Sequence, residues 1–157
     1  MATHSERRHL HRLMLLLHDH AAQVHYPPGD VRTHRATEIQ TEKALLRALA
    51  DDKFEYDCSQ VVEILWRIAG LKIPRALVNG FTGTILELPV YDDPAKARIG
   101  AACVFGPGTG EHVSMVMEPG PDPLLCSHGR PGVDLLRLSV ERTWHEPPVR
   151  FCSIAHL

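Results

Sequence analysis

Apolar residues recur at helical spacing over the first 25 positions: Leu10, Leu13, Met14, Leu17, Ala21 and Val24. Steps of three and four put them on one stripe, so the segment predicts an amphipathic helix with His9, Arg12, His20 and Gln23 on its polar side. Tyr26-Pro27-Pro28-Gly29 ends it, because proline cannot continue a helix and glycine permits the turn. A second helix is predicted over 38–50, with Thr37 and Gln40 as a capping box and Ile39, Leu45, Leu46 and Leu49 facing the core. A third starts near Asp57, a good N-cap residue, and stops at Gly70. Val61, Val62, Leu65, Ile68 and Ala69 form its buried stripe.

After Pro74 the pattern changes. Short β-prone runs at 84–90, 101–105, 112–118, 124–127, 133–138 and 149–154 are separated by Gly, Pro and Asp. Helices first and strands later predict an α+β domain with an antiparallel sheet. No linker divides the halves, and 157 residues suit one domain spanning 1–157.

Composition narrows the function classes. With 17 basic and 19 acidic residues the formal charge is −2, without the basic excess of a phosphate-neutralising nucleic-acid binder. The longest apolar run, 13–17, is far short of a membrane span. Nothing at the N-terminus reads as a signal peptide. Cys58, Cys103, Cys126 and Cys152 contain no CxxC spacing, which argues against a zinc knuckle. Their even number permits disulfides, but a domain of this size does not need them, and free thiols are expected. Seven of the eleven histidines lie in the first 34 positions. His18 and His20 point to different faces of the predicted helix, so neither a metal nor a cofactor is expected there. Trp66 and Trp144 are expected to pack.

Cys58 carries the sharpest chemistry. It opens an apolar helix, where unpaired N–H groups and the helix dipole favour thiolate over thiol. A thiolate nucleophile needs a base and a group that orients the base. The segment 112–118 alternates, and 119–123 (Pro-Gly-Pro-Asp-Pro) breaks it before 124–129 returns. A hairpin centred on Gly120 places His112 opposite His128, with Cβ atoms roughly 5 Å apart. That pairing offers one of the two histidines as base and the other as its orienter.

These residues resemble the NlpC family of papain-like cysteine peptidases, which cut peptide bonds in bacterial peptidoglycan. The likeness rests on Asp57-Cys58-Ser59 opening an apolar helix, a His starting a strand and a polar residue on the next strand. It is nearest to cell-wall hydrolase domains of actinobacterial phages, through Val24-His25-Tyr26, Gly80-Phe81-Thr82-Gly83-Thr84, Gly110-Glu111-His112-Val113 and the run 122–129. The resemblance implies a papain-like fold, Cys58 as nucleophile, His112 as general base and acid, and His128 as third residue. It further implies that the Cys58 N–H helps form the oxyanion hole, that Asp57 meets a stem-peptide amine with Ser59 nearby, and that Tyr26 and Arg32 line the groove. The implied substrate is a peptidoglycan stem peptide, cut between D-glutamate and the diamino acid, with the enzyme reaching the wall through phage lysis, the virion or a non-classical export route. Three features depart from the family pattern: Gln60 replaces a usual Gly, 49–55 lacks a Tyr-x-Trp-Gly-Gly stretch, and Gly100-Ala101 lacks an Asp. An amidase or acyltransferase on the same scaffold, and a non-catalytic binding module, are the alternative readings.

Overall fold

The first helix forms where the apolar stripe is densest. A computed structural model describes residues 2–29 and 35–154, and in it α1 runs His4–Asp19 with Leu10, Leu13, Met14 and Leu17 fully buried. Thr3 caps it: its side chain accepts from the Glu6 N–H, and the Glu6 carboxylate accepts from the Thr3 N–H. The helix stops before Ala21 and Val24, which the stripe had assigned to it. Val24 lies instead in β1 (Val24–His25), paired in parallel with β2 (Phe54–Glu55). Strands of two residues leave no periodicity to read.

Between them, α2 spans Glu42–Ala50, starting four residues later than the sequence predicts. Thr41 is the cap, accepting from the Ala44 N–H, and residues 36–38 form a separate 3₁₀ turn. Leu45 and Leu49 are buried, but Leu46, expected in the core, is 44% exposed, lying about 100° round the helix from Leu45 and outside the stripe that Leu45 and Leu49 form. Next comes α3, Cys58–Ile68, with Asp57 as N-cap and Gly70 beyond its end at φ +91°, a backbone region that favours glycine.

The stretch 84–90, read as a strand, is the end of a helix followed by a turn: α4 covers Thr82–Ile85, residues 86–88 turn, and only Val90–Tyr91 is strand, β3. The Thr84 hydroxyl accepts from the Phe81 N–H, and this local bond closes a turn that competes with extension. The later strands follow the predicted runs: β4 Ala102–Phe105, β5 His112–Glu118, β6 Leu124–Gly129, β7 Gly132–Arg137 and, after the one-turn helix α5 (Leu138–Glu141), β8 Val149–Cys152. They form a six-stranded antiparallel sheet in the order β3-β8-β4-β5-β6-β7. The fold is therefore α+β.

The two sheet faces differ. Val113, Met115, Met117, Cys126 and Val133 join the main core with α1 and α3. Cys103, Phe105, Val116, Leu125, Leu138 and Phe151 form a smaller core on the reverse side, next to α5. Trp66 is buried as expected, and its indole N–H donates to the Gly100 carbonyl at 2.8 Å, tying α3 to the start of β4. No helix among the described residues is long and apolar enough to cross a membrane.

The β4–β5 turn sets where β5 begins. Gly110 has φ +81°, and a Cβ there would stand 2.6 Å from Val104 Cγ1 and 2.8 Å from Thr82 Cγ2. Only glycine fits, and two residues later the chain places His112 at the first position of β5. Gly110→Ala is expected to destabilise the fold by about 2–4 kcal/mol, combining left-handed backbone strain with overpacking. An unchanged urea midpoint would contradict this reading of the turn.

Candidate active site

Cys58 is the first residue of α3 and is only 7% exposed. Asp57 and Gln60 hold the helix start in a reciprocal cap: Asp57 Oδ1 accepts from the Gln60 N–H at 2.9 Å, and Gln60 Oε1 accepts from the Asp57 N–H at 3.1 Å. The Ser59 hydroxyl also donates to Asp57 Oδ1, at 2.8 Å. Gln60 thus has a local task that a glycine could not perform. Asp57 and Ser59 lie beside the cysteine as expected, with Asp57 Oδ1 engaged in fixing the helix end.

His112 reaches the same place from the sheet, and the interaction between its imidazole and the Cys58 thiol shifts both groups. Its Nε2 lies 3.0 Å from Ser127 Oγ, 3.2 Å from Ser114 Oγ and 3.2 Å from Glu141 Oε1. Those contacts occupy Nε2 and leave Nδ1 for the thiol. Both serine hydroxyls donate to Glu141 Oε1, at 2.7 Å from Ser114 and 2.5 Å from Ser127. Glu141, at the end of α5, has no solvent exposure. The group that orients His112 is therefore a buried carboxylate with two hydroxyls around it.

His128 does not hold that position. In the β5–β6 ladder Ser114 faces Ser127 and Met115 faces Cys126, one residue off the register expected for a hairpin centred on Gly120. The pair nearest the turn, Glu118 with Leu124, is centred on 121, and the irregularity between Val116 and Glu118 then moves the ladder by one residue, which sends the side chains beyond it to the opposite face. His128 turns toward the helices. Its Nε2–H donates to the Tyr56 carbonyl at 2.6 Å, and its ring lies 5.3 Å from that of Tyr26. Through these contacts it braces the segment that leads into Cys58. Tyr26 lies where expected: its hydroxyl is directed at Cys58 Sγ from 4.0 Å. Arg32 lies outside the described residues.

The electrostatics separate the groups. Burial works to raise the Cys58 thiol, but the His112 hydrogen bond and charge outweigh it and hold the thiol below its ordinary value. Burial alone would lower His112; the bonds to Cys58 and Glu141 overcome it and lift the imidazole to about 9. Burial likewise opposes ionisation of Glu141, yet His112 and Ser127 bring it below the usual carboxylate range. Each of the three charged forms, thiolate, imidazolium and carboxylate, is thus favoured by its neighbour. Burial takes His128 down to about 4, so it is neutral there. Desolvation raises the other three thiols, Cys126 to about 12, Cys152 to about 11 and Cys103 well above normal. All four are free.

His145 covers the outer side of His112, its ring stacked at 5.0 Å and 12°. Donor atoms of His112, Glu141 and His145 lie within 4.8 Å of one another, the one such group among the described residues. Parallel rings do not aim their in-plane lone pairs at a common point, and Glu141 Oε1 already receives three donors. The set therefore reads as an ion pair with an aromatic cover. A groove of about 350 Å³ opens over His112, lined among others by Tyr26, Arg130, Trp144 and His145. Trp144, expected to cover the sheet, is 61% exposed at its rim. Glu141 carries no catalytic signal in the sequence: it ends a four-residue helix and is followed directly by Arg142. In comparisons with known proteins, no family model matches this chain, and no curated protein or solved structure matches it either.

Iodoacetamide at pH 6 is expected to modify Cys58 alone, because ordinary thiols are largely protonated there and the other three are pushed still higher. Peptide mapping checks this; labelling elsewhere, or no labelling, contradicts it. His128 is neutral in the fold down to about pH 4, whereas the unfolded residue takes a proton near 6.5. The unfolded state therefore binds more protons in this window, and stability falls as pH drops from about 6.5 toward 4. Urea midpoints of His128→Gln should show a shallower decline over the same range, and an equal slope would refute the assignment.

Proposed function

We propose that this chain is a thiol hydrolase of papain-like design, in which Cys58, His112 and Glu141 form the catalytic triad. The observation that carries the reading is the succession of the Cys58 thiol, the His112 ring and the buried Glu141 carboxylate, each favouring the charged form of its neighbour. Charge is held ready at a nucleophile, and the base is oriented by a third group, which is the arrangement covalent acyl transfer needs. Guided by the NlpC resemblance, the substrate class we infer is a peptidoglycan stem peptide, with the bond between D-glutamate and the diamino acid as the target.

The steps follow from the residues. The Cys58 thiolate attacks the amide carbon, and the C–O electrons move onto oxygen. The backbone N–H of Cys58, which has no partner within the helix, turns to the developing oxyanion, with the Tyr26 hydroxyl beside it as a second donor. Burial and the neighbouring Cys58 and Asp57 charges raise the Tyr26 phenol, so it keeps its proton. The His112 imidazolium gives a proton to the leaving amine as the C–N bond breaks. His112, now neutral, takes a proton from water, which attacks the thioester carbon; the C–S bond breaks, releasing the acid and the Cys58 thiolate beside the restored His112 imidazolium. Glu141 compensates the imidazolium charge in both halves.

Digestion of purified peptidoglycan, with products identified by mass, tests the reading. Wild type should release cleaved stem peptides and Cys58→Ala none. Glu141→Gln should lower kcat roughly 10²–10⁴-fold, the usual worth of general acid–base catalysis. Absence of cutting by wild type whose Cys58 still alkylates at pH 6 would keep the nucleophile and reject the substrate.

A further inference from the structure

A second concavity lies away from the catalytic groove. It is about 530 Å³ and is bounded by two segments roughly ninety residues apart in sequence, the start of α1 and the stretch 95–99 ahead of β4. The α1 side contributes His4, Arg7 and Arg8, and the other contributes Lys96 and Arg98. The remaining lining residues, Ala95, Ala97, Ile99 and Pro119, are uncharged. No carboxylate enters the lining.

Four permanent cations around one concavity is an uneven distribution for a chain of net charge −2. Carboxylates compensate other arginines: Arg12 with Glu42, Arg35 with Glu38, Arg67 with Glu63 and Arg137 with Glu118. None of the groove cations makes an ion pair among the described residues. Arg7 is half-buried, and its Nε is closed off from solvent without a hydrogen-bond partner, so its guanidinium has donor capacity the fold leaves unused. Like charges held together in this way repel unless an anion sits between them. Three of the cations are arginines, whose planar forks match the oxygens of a phosphate.

We propose that this groove is a binding site for phosphate groups, taken two or more at a time from a polyvalent anion. The spacing of cations over two segments and the volume suit several phosphates more closely than one. The site is separate from the Cys58–His112–Glu141 centre and does not depend on what that centre cuts.

Isothermal titration with sodium tripolyphosphate and flotation with phosphatidylglycerol vesicles, against phosphatidylcholine vesicles as control, distinguish a soluble phosphate from a lipid headgroup. The test variant replaces three exposed side chains, Arg8→Gln, Lys96→Gln and Arg98→Gln. Its fold is checked by alkylation of Cys58, which is remote from the groove. Binding of tripolyphosphate that weakens at least tenfold in the variant, and that weakens with added salt, supports a soluble polyphosphate ligand. Flotation with the anionic vesicles alone that is lost in the variant supports headgroup phosphates. Binding of neither probe, or binding that the triple variant leaves unchanged, overturns the proposal.

Discussion

The ion pair between His112 and Glu141 governs the site. A carboxylate with no solvent exposure is costly unless its charge is met, and here three donors converge on one oxygen: the two serine hydroxyls and the His112 ring. The two serines are neighbours across β5 and β6, and α5 brings the carboxylate beneath them as β7 ends. Sheet register, the glycine-dependent β4–β5 turn and the short helix α5 all serve this one contact. Once the imidazolium is held there, the Cys58 thiol at the start of α3 meets a cation from the sheet and the positive end of its own helix. Each charge lowers the cost of burying the next.

Features set by local chemistry were legible in the sequence. The capped start and glycine stop of α3 mark themselves, so Cys58 could be placed on a helix N-terminus from the string alone. The alternation of 112–118 marked β5 with the observed bounds, and His112 with it. Features set by long-range register were not legible. An irregularity near Met117 shifts the β5–β6 ladder by one residue, and with it the identity of the group beside His112 passes from His128 to Ser127. Glu141 lies on a single helical turn whose role depends on packing under two strands. Leu46 falls outside the narrow stripe of Leu45 and Leu49, and single side-chain bonds at Thr41 and Thr84 moved a helix start and closed a turn where extension had been expected.

The histidines show how one residue type takes different states in one small volume. His112 is lifted by its partners and carries charge; His128, nearly as buried, is pressed down and stays neutral; His145 is lowered by burial and by the charge of His112. Geometry decides among them. His112 has a carboxylate on one nitrogen and a thiol hydrogen bond, whereas His128 has a backbone carbonyl on Nε2 and no partner on Nδ1. Assigning roles by residue type alone would exchange the two.

The central claim is that Glu141, through His112, keeps Cys58 ionised. Titration of the thiolate by its ultraviolet absorbance, in wild type and in Glu141→Gln, tests it most directly. The account predicts a wild-type transition below the ordinary thiol range and a transition displaced upward in the variant, because the imidazolium loses the charge that stabilises it. Superimposable titrations would show that Glu141 does not set the state of the nucleophile.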